Sequence, residues 1–148
     1  MEQLIITLIL VTLGYFFGRR AEKKHYQNIL EREQQMNQLP AMASRFPPTE
    51  GTPYEQQLVT GSVVIANDYF KTFVAGLRNL FGGKVRTYET LLDRARREAM
   101  LRMKEQAHSW GGEMIFNVKY EASNISGQYS RKFPVIEVHA YGTALKKQ

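Results

Sequence analysis

The 148-residue chain contains no cysteine. This absence excludes disulfides, thiolate catalysis, iron–sulfur clusters and every Cys-based zinc site. It also leaves the redox compartment undefined, because a cysteine-free chain suits either side of a bacterial inner membrane. Histidine is scarce too: His25, His108 and His139 have no metal-ligand spacing, and no H-E-x-x-H pattern occurs. Gly82-Gly83 is not followed by the Gly-Lys-Ser/Thr of a P-loop. No Ser-His-Asp set or pair of carboxylates can be located, which argues against an enzyme. No basic patch interleaved with aromatics occurs either, so a nucleic-acid partner is not expected.

Charge is missing from one stretch in particular. From Gln3 to Gly18 there is no charged residue, and Leu4, Ile9, Leu10, Leu13, Phe16 and Phe17 are among the residues that dominate. A membrane span needs about 17–25 apolar residues, so residues 1–18 read as a short single transmembrane helix, apolar all round. Glu2 precedes the run and Arg19-Arg20 follows it, the reverse of a cleaved signal peptide. Arg19, Arg20, Lys23 and Lys24 form a basic flank. The positive-inside rule then puts the N-terminus outside and the following domain on the cytoplasmic side of a plasma membrane; a periplasmic domain is the alternative. Gly14 and Gly18 form a G-x-x-x-G pair, which permits close helix approach.

The formal net charge is +6. Residues 1–48 hold six basic and four acidic side chains; the rest holds fourteen and ten, spread along the chain as on a solvated surface. Residues 19–39 lack Gly and Pro and read as a helical stem. Tyr26, Ile29, Leu30, Met36 and Leu39 form a loose apolar stripe there, interrupted by Glu33. Either a solvated stem or a short coiled coil fits this pattern. Pro40, Pro47, Pro48, Gly51 and Pro53 mark an extended linker, so the stem and linker occupy 19–48 and a soluble domain 49–148.

Within that domain, Val59 to Ile65 predicts a strand. Asn67-Asp68 offers an N-cap to a first helix through Tyr69, Phe70, Phe73, Val74, Leu77, Leu80 and Phe81, which Gly82-Gly83 stops. Leu92, Ala95, Ala99, Met103, Ala107 and Trp110 recur at helical spacing over Thr87–Trp110, and alanines let that face lie close on a sheet. Asp93→Arg97 and Glu98→Arg102 are i,i+4 pairs on the opposite side. Two alternating strands follow. In one, Met114, Phe116, Val118 and Tyr120 share a face; in the other, Ile136, Val138, Ala140, Gly142 and Ala144 do. The order is β-α-α-β-β and the class α+β, with a three-stranded antiparallel sheet.

Thr60-Gly61, Phe73-Val74-Ala75-Gly76-Leu77-Arg78, Gly82-Gly83, Tyr88-Glu89 and Ala95-Arg96 with Ala99 follow one another in a particular order. Gly111 through Val118, and then Val138, Ala140 and Gly142-Thr143-Ala144, complete it. Over residues 49–146 this order resembles the YbjQ-like family, often labelled a heavy-metal-binding domain. The resemblance implies a small α/β subunit forming a dodecin-like homopentamer, with no established catalytic residue and no known cofactor. The chain departs from relatives in having Gly112-Glu113, and its lack of Cys weakens a soft-metal role.

Two constellations could carry chemistry. Arg78, Gly82, Gly83, Tyr88, Glu89 and Arg96 surround the break between the two helices. Backbone N–H groups and two arginines there could hold an anion, or the glycines could simply end a helix while an arginine pairs with Glu89. Glu137, His139 and Tyr141 share one strand face, and in a pentamer Glu137 and His139 would repeat as rings able to take a metal or polar ligand. The expected protein is thus a non-enzymatic, membrane-tethered oligomeric module for a ligand or partner. A metal or small-ligand carrier and a membrane-proximal enzyme are the alternatives.

Overall fold

The computed structural model describes residues 2–47, 53–66, 87–125 and 135–148. The expected first helix of the domain, from Tyr69 to Phe81, lies outside the described residues. So do the side chains of Leu4, Leu8, Val11 and Tyr15. The described elements are α1 (Glu2–Gln35), β1 (Tyr54–Ala66), α2 (Thr87–Trp110), β2 (Met114–Asn124) and β3 (Val135–Lys147).

The three strands form one antiparallel sheet in the order β1-β3-β2, with the last strand of the chain at its centre. β1 meets β3 without interruption from Tyr54↔Lys147 to Ala66↔Val135. β2 meets β3 from Met114↔Leu145 to Phe116↔Thr143, and then again from Lys119↔Tyr141 to Asn124↔Ile136. The break is a β-bulge, with Asn117 at φ 54°. Asparagine tolerates this left-handed conformation better than most residues. The bulge moves Ile115 and Val118 into the core, which the simple alternation of the sequence does not anticipate.

α2 covers one face of the sheet. Leu91, Ala95, Ala99, Met103 and Ala107 are buried against Val59, Val63, Ile136, Val138 and Ala140. Leu92 and Trp110 sit at the margin of this core. Small residues bring helix and sheet together: a Cβ at Gly61 would lie 2.2 Å from Ala99 O and 2.5 Å from Met103 N. α2 also reaches the outer edge of β1. Gln106 accepts the Thr60 N–H at 2.6 Å, and Arg102 donates to Ser62 O at 2.7 Å. An edge strand left with free backbone groups invites unwanted pairing, and these two side chains occupy part of that edge. At its end α2 is closed by Gly111, at φ 86°. Gly112 N–H bonds Ala107 O at 2.8 Å. A glycine takes this left-handed stop without steric cost.

The chain before β1 joins this domain. Pro40 to Ser44 runs along the bulged part of β2, with a parallel bridge at Ala41↔Ile115. Ile115 N–H bonds Pro40 O at 2.9 Å, Met42 N–H bonds Ile115 O at 2.9 Å, and Asn117 N–H bonds Ser44 O at 2.8 Å. Backbone hydrogen bonding holds this segment to the sheet. Leu39 enters the core.

The expected transmembrane span over residues 1–18, and with it a single-pass chain, is corrected here. Among the described residues, no helix is long and apolar enough to cross a membrane. The uncharged stretch within α1 covers only Gln3 to Gly18, about 24 Å at 1.5 Å per residue. The hydrocarbon core is about 30 Å thick. Gln3, Thr7 and Thr12 further dilute the run, and α1 continues unbroken into a strongly polar second half. The α+β class and the three-stranded antiparallel sheet fit the structure.

Candidate functional site

Two groups of polar side chains stand out. The first lies on the sheet face turned away from α2. The strict register of β1 on β3, together with β2 beyond its bulge, sets three rows across the sheet: Thr60–Tyr141–Lys119, Ser62–His139–Glu121 and Val64–Glu137–Ser123. Strand periodicity puts all nine on one face. The Tyr141 hydroxyl donates to Glu121 Oε1 at 3.0 Å, and this bond holds the phenol above its ordinary pKa of 10.0. Ser123 Oγ donates to Glu137 Oε2 at 3.5 Å. The His139 and Tyr141 rings lie 5.9 Å apart. Glu137, His139 and Tyr141 are half-buried, whereas Glu121 and Ser123 are exposed.

The sequence places Glu137, His139 and Tyr141 together, and the structure adds Glu121 and Ser123 from the neighbouring strand. Cross-strand register supplied these two, and it is not visible in one strand's pattern. Among the described residues, no group of three or more His, Cys, Asp or Glu side chains could hold a metal ion.

The second group ties α1 to α2. Arg32 Nη1 donates to Glu98 Oε2 at 2.8 Å and its Nε to Glu105 Oε1 at 2.8 Å. Glu98, buried to 4% exposure, also accepts from Arg102 at 2.9 Å. Arg97 grips both oxygens of Glu33, and donates to the Tyr26 hydroxyl at 2.6 Å with its guanidinium 5.0 Å from that ring's centre. Arg97 holds the Glu33 carboxyl below its ordinary pKa of 4.5, against an opposing push from burial. Lys104 donates to Met36 O at 3.2 Å, and burial lowers its pKa. Ile29 is fully buried. The second half of α1 therefore packs on α2 and is not a stem solvated on every side. Sequence reasoning missed this contact: Asp93→Arg97 looks like the natural pair, yet Arg97 turns to Glu33.

Of the constellation around the inter-helix break, Arg78, Gly82 and Gly83 lie outside the described residues, as does the side chain of Tyr88. Glu89 and Arg96 are both exposed on α2. Arg96 lies near enough to Tyr120 to oppose the upward push that burial gives that phenol's pKa. Arg19, Arg20, Lys23 and Lys24 are all exposed on α1, as are Leu10, Gly14 and Phe17, with Gly18 partly so.

The pattern of strands, glycines and bulge can now be set beside known proteins. A sequence family named YbjQ, described as "Putative heavy-metal-binding", matches residues 46–148. The chain belongs to the YbjQ family. Curated relatives share the name UPF0145 protein. One from Hahella chejuensis is 39% identical over 88 residues, covering 60% of this chain and 79% of the relative. One from Clostridium novyi is 36% identical, covering 60% and 81%, and one from Pyrococcus furiosus is 35% identical, covering 60% and 72%. A crystal structure of a DUF74-family protein of unknown function from Pediococcus pentosaceus aligns with TM-score 0.46 and 15% identity, over 74% of this chain and 98% of that one.

The YbjQ description raises the question of a soft metal. The donor set does not fit one: the chain has no thiolate, and its described His and carboxylate side chains form no ligand cluster. A soft metal favours sulfur ligands.

Proposed function

We propose that this YbjQ-family chain is a non-enzymatic display module. It assembles from identical copies, five as the resemblance implies, and offers the polar sheet face to a ligand or protein partner. It works at the cytoplasmic face of a membrane. The observation that carries this reading is a polar sheet face that no other described element covers. α2 covers one side of the sheet, while the other side carries Ser62, Glu121, Glu137, His139 and Tyr141 in ordered rows. Its hydrogen-bonded pairs hold polar groups in fixed positions.

The test is the mass of the assembled full chain, by sedimentation equilibrium in a mild detergent matched for density. A particle near five times the 17.1 kDa subunit supports the reading. A 17.1 kDa monomer at micromolar concentration overturns it. A metal carrier is the second reading, resting on the YbjQ description alone. It requires His139→Ala or Glu137→Ala to lower a co-purifying metal measured by elemental analysis.

A further inference from the structure

We infer that α1 is an interfacial helix that seats the module on an anionic lipid surface without crossing it. This rests on the membrane placement proposed above and adds the orientation and the class of lipid.

The first part of α1 exposes large apolar side chains. Ile9 is 51% exposed, Leu10 64%, Phe16 67% and Phe17 70%. Ile6, Ile9, Leu13 and Phe16 recur at steps of three and four, and the same steps lead on to Arg20 and Lys23. Leu10, Phe17 and Lys24 repeat every seven residues beside them. One face of the helix therefore runs from apolar to cationic along its length.

The docking of α1 fixes where that face points. Tyr26, Ile29 and Glu33 are the positions that meet α2 or are buried there. At 100° per residue, the centre of this docked side lies roughly 140° around the helix from the centre of the Ile6–Lys23 stripe. The helix is continuous from Glu2 to Gln35, so the stripe looks away from the domain. An apolar stripe on the far side of a docked helix is presented to a surface, with the folded domain standing above it.

Charge selects the surface. Arg20, Lys23 and Lys24 are exposed and lie on or beside the stripe. Immersing the apolar positions brings these three cations to headgroup level, where anionic lipids attract each with about 1 kcal/mol, roughly a fivefold gain in binding. Three such contacts multiply to roughly a hundredfold preference for anionic over neutral lipid. The apolar part supplies binding to either.

Co-flotation of the full chain with vesicles tests this. One set is phosphatidylcholine alone; the other carries about a third phosphatidylglycerol. The expected result is binding to both, tighter to the anionic set by one to two orders of magnitude, the difference shrinking at high salt. Combined Arg20→Gln, Lys23→Gln and Lys24→Gln abolishes the preference and keeps neutral binding. Combined Ile9→Asp and Leu13→Asp abolishes binding to both sets; both residues are exposed, so circular dichroism should show an intact fold. Equal binding to both sets by the parent chain overturns the lipid-class inference and leaves the membrane placement standing. Absence of binding to either overturns both. Parent-like binding by the Ile9/Leu13 variant overturns the assignment of the face.

Discussion

Gly61→Ala is the sharpest probe of how α2 sits on the sheet. The added methyl would meet Ala99 O at 2.2 Å and Met103 N at 2.5 Å, with Arg102 Cβ at 3.0 Å. Ordinary contact begins about 1 Å further out, and the two nearest atoms are helix backbone, so no side chain can swing aside. The helix must lift or slide. Lifting it strains the bonds from Gln106 to Thr60 and from Arg102 to Ser62 and opens space beside Ala95 and Ala99, both fully buried. Over-packing of this kind costs about 1–3 kcal/mol, and the rigid backbone partners place this case near the upper end. For a domain of about 100 residues that corresponds to a fall in Tm on the order of 10–20 °C. Urea unfolding followed by circular dichroism measures the cost, with m unchanged if the transition stays two-state. Gly111→Ala serves as a comparison of different origin. Its Cβ meets nothing closer than Lys146 Cδ at 3.7 Å, so its cost is the left-handed backbone alone, about 1–2 kcal/mol. A Gly61→Ala protein as stable as the parent would refute the close approach of α2 to β1.

Other consequences follow from the ion pairs and the polar face. Ile29→Ala removes a fully buried side chain from the α1–α2 contact; hydrogen exchange in residues 26–36 should rise while β3 stays protected, because the core does not depend on it. Acidification should loosen the same contact: the Glu33 carboxyl is depressed when folded. Its contribution is therefore full above the ordinary value of 4.5 and is lost as pH falls through the lower folded value. Arg97→Gln should remove that acid sensitivity, as read by limited proteolysis of α1 across pH 3–6. Glu121→Gln should bring the Tyr141 phenol back toward 10.0 in an ultraviolet titration, since the carboxylate bond is what raises it.

Local pattern carried the elements whose packing is local. The alternation of Ile136, Val138, Ala140, Gly142 and Ala144 predicts a strand with one buried face, and β3 has it. The alanines of α2 predict a face close to the sheet, and Gly61 completes that approach. β2 resisted the same reasoning. Its alternation from Met114 to Tyr120 is broken by the extra residue at Asn117, so Ile115 and Val118 share the core side. An asparagine between apolar residues was the available signal, but asparagine also occurs in unbulged strands. The candidate site divides in the same way. Glu137, His139 and Tyr141 alternate on one strand, so their shared face was legible, whereas Glu121 and Ser123 arrive by cross-strand register. The α1–α2 ion pairs join residues more than 60 positions apart, and no periodicity reports a pairing at that distance.

The first half of α1 shows how one property can suggest two structures. An uncharged run ending in arginines is what a span looks like, and hydrophobicity alone cannot separate crossing a bilayer from lying on it. Length and rotation separate them. About 24 Å of uncharged helix falls short of a core of about 30 Å, which a crossing helix must bridge. A helix lying on the surface needs no particular length, but it does need one side turned outward. Docking through Ile29, Arg32 and Glu33 supplies that rotation, because a straight helix held at one end has its whole azimuth set. The ion pairs with α2 and the apolar stripe are thus two parts of one arrangement. Loosening the first should blunt the second, so the Ile29→Ala chain should lose vesicle affinity although its substitution lies outside the stripe.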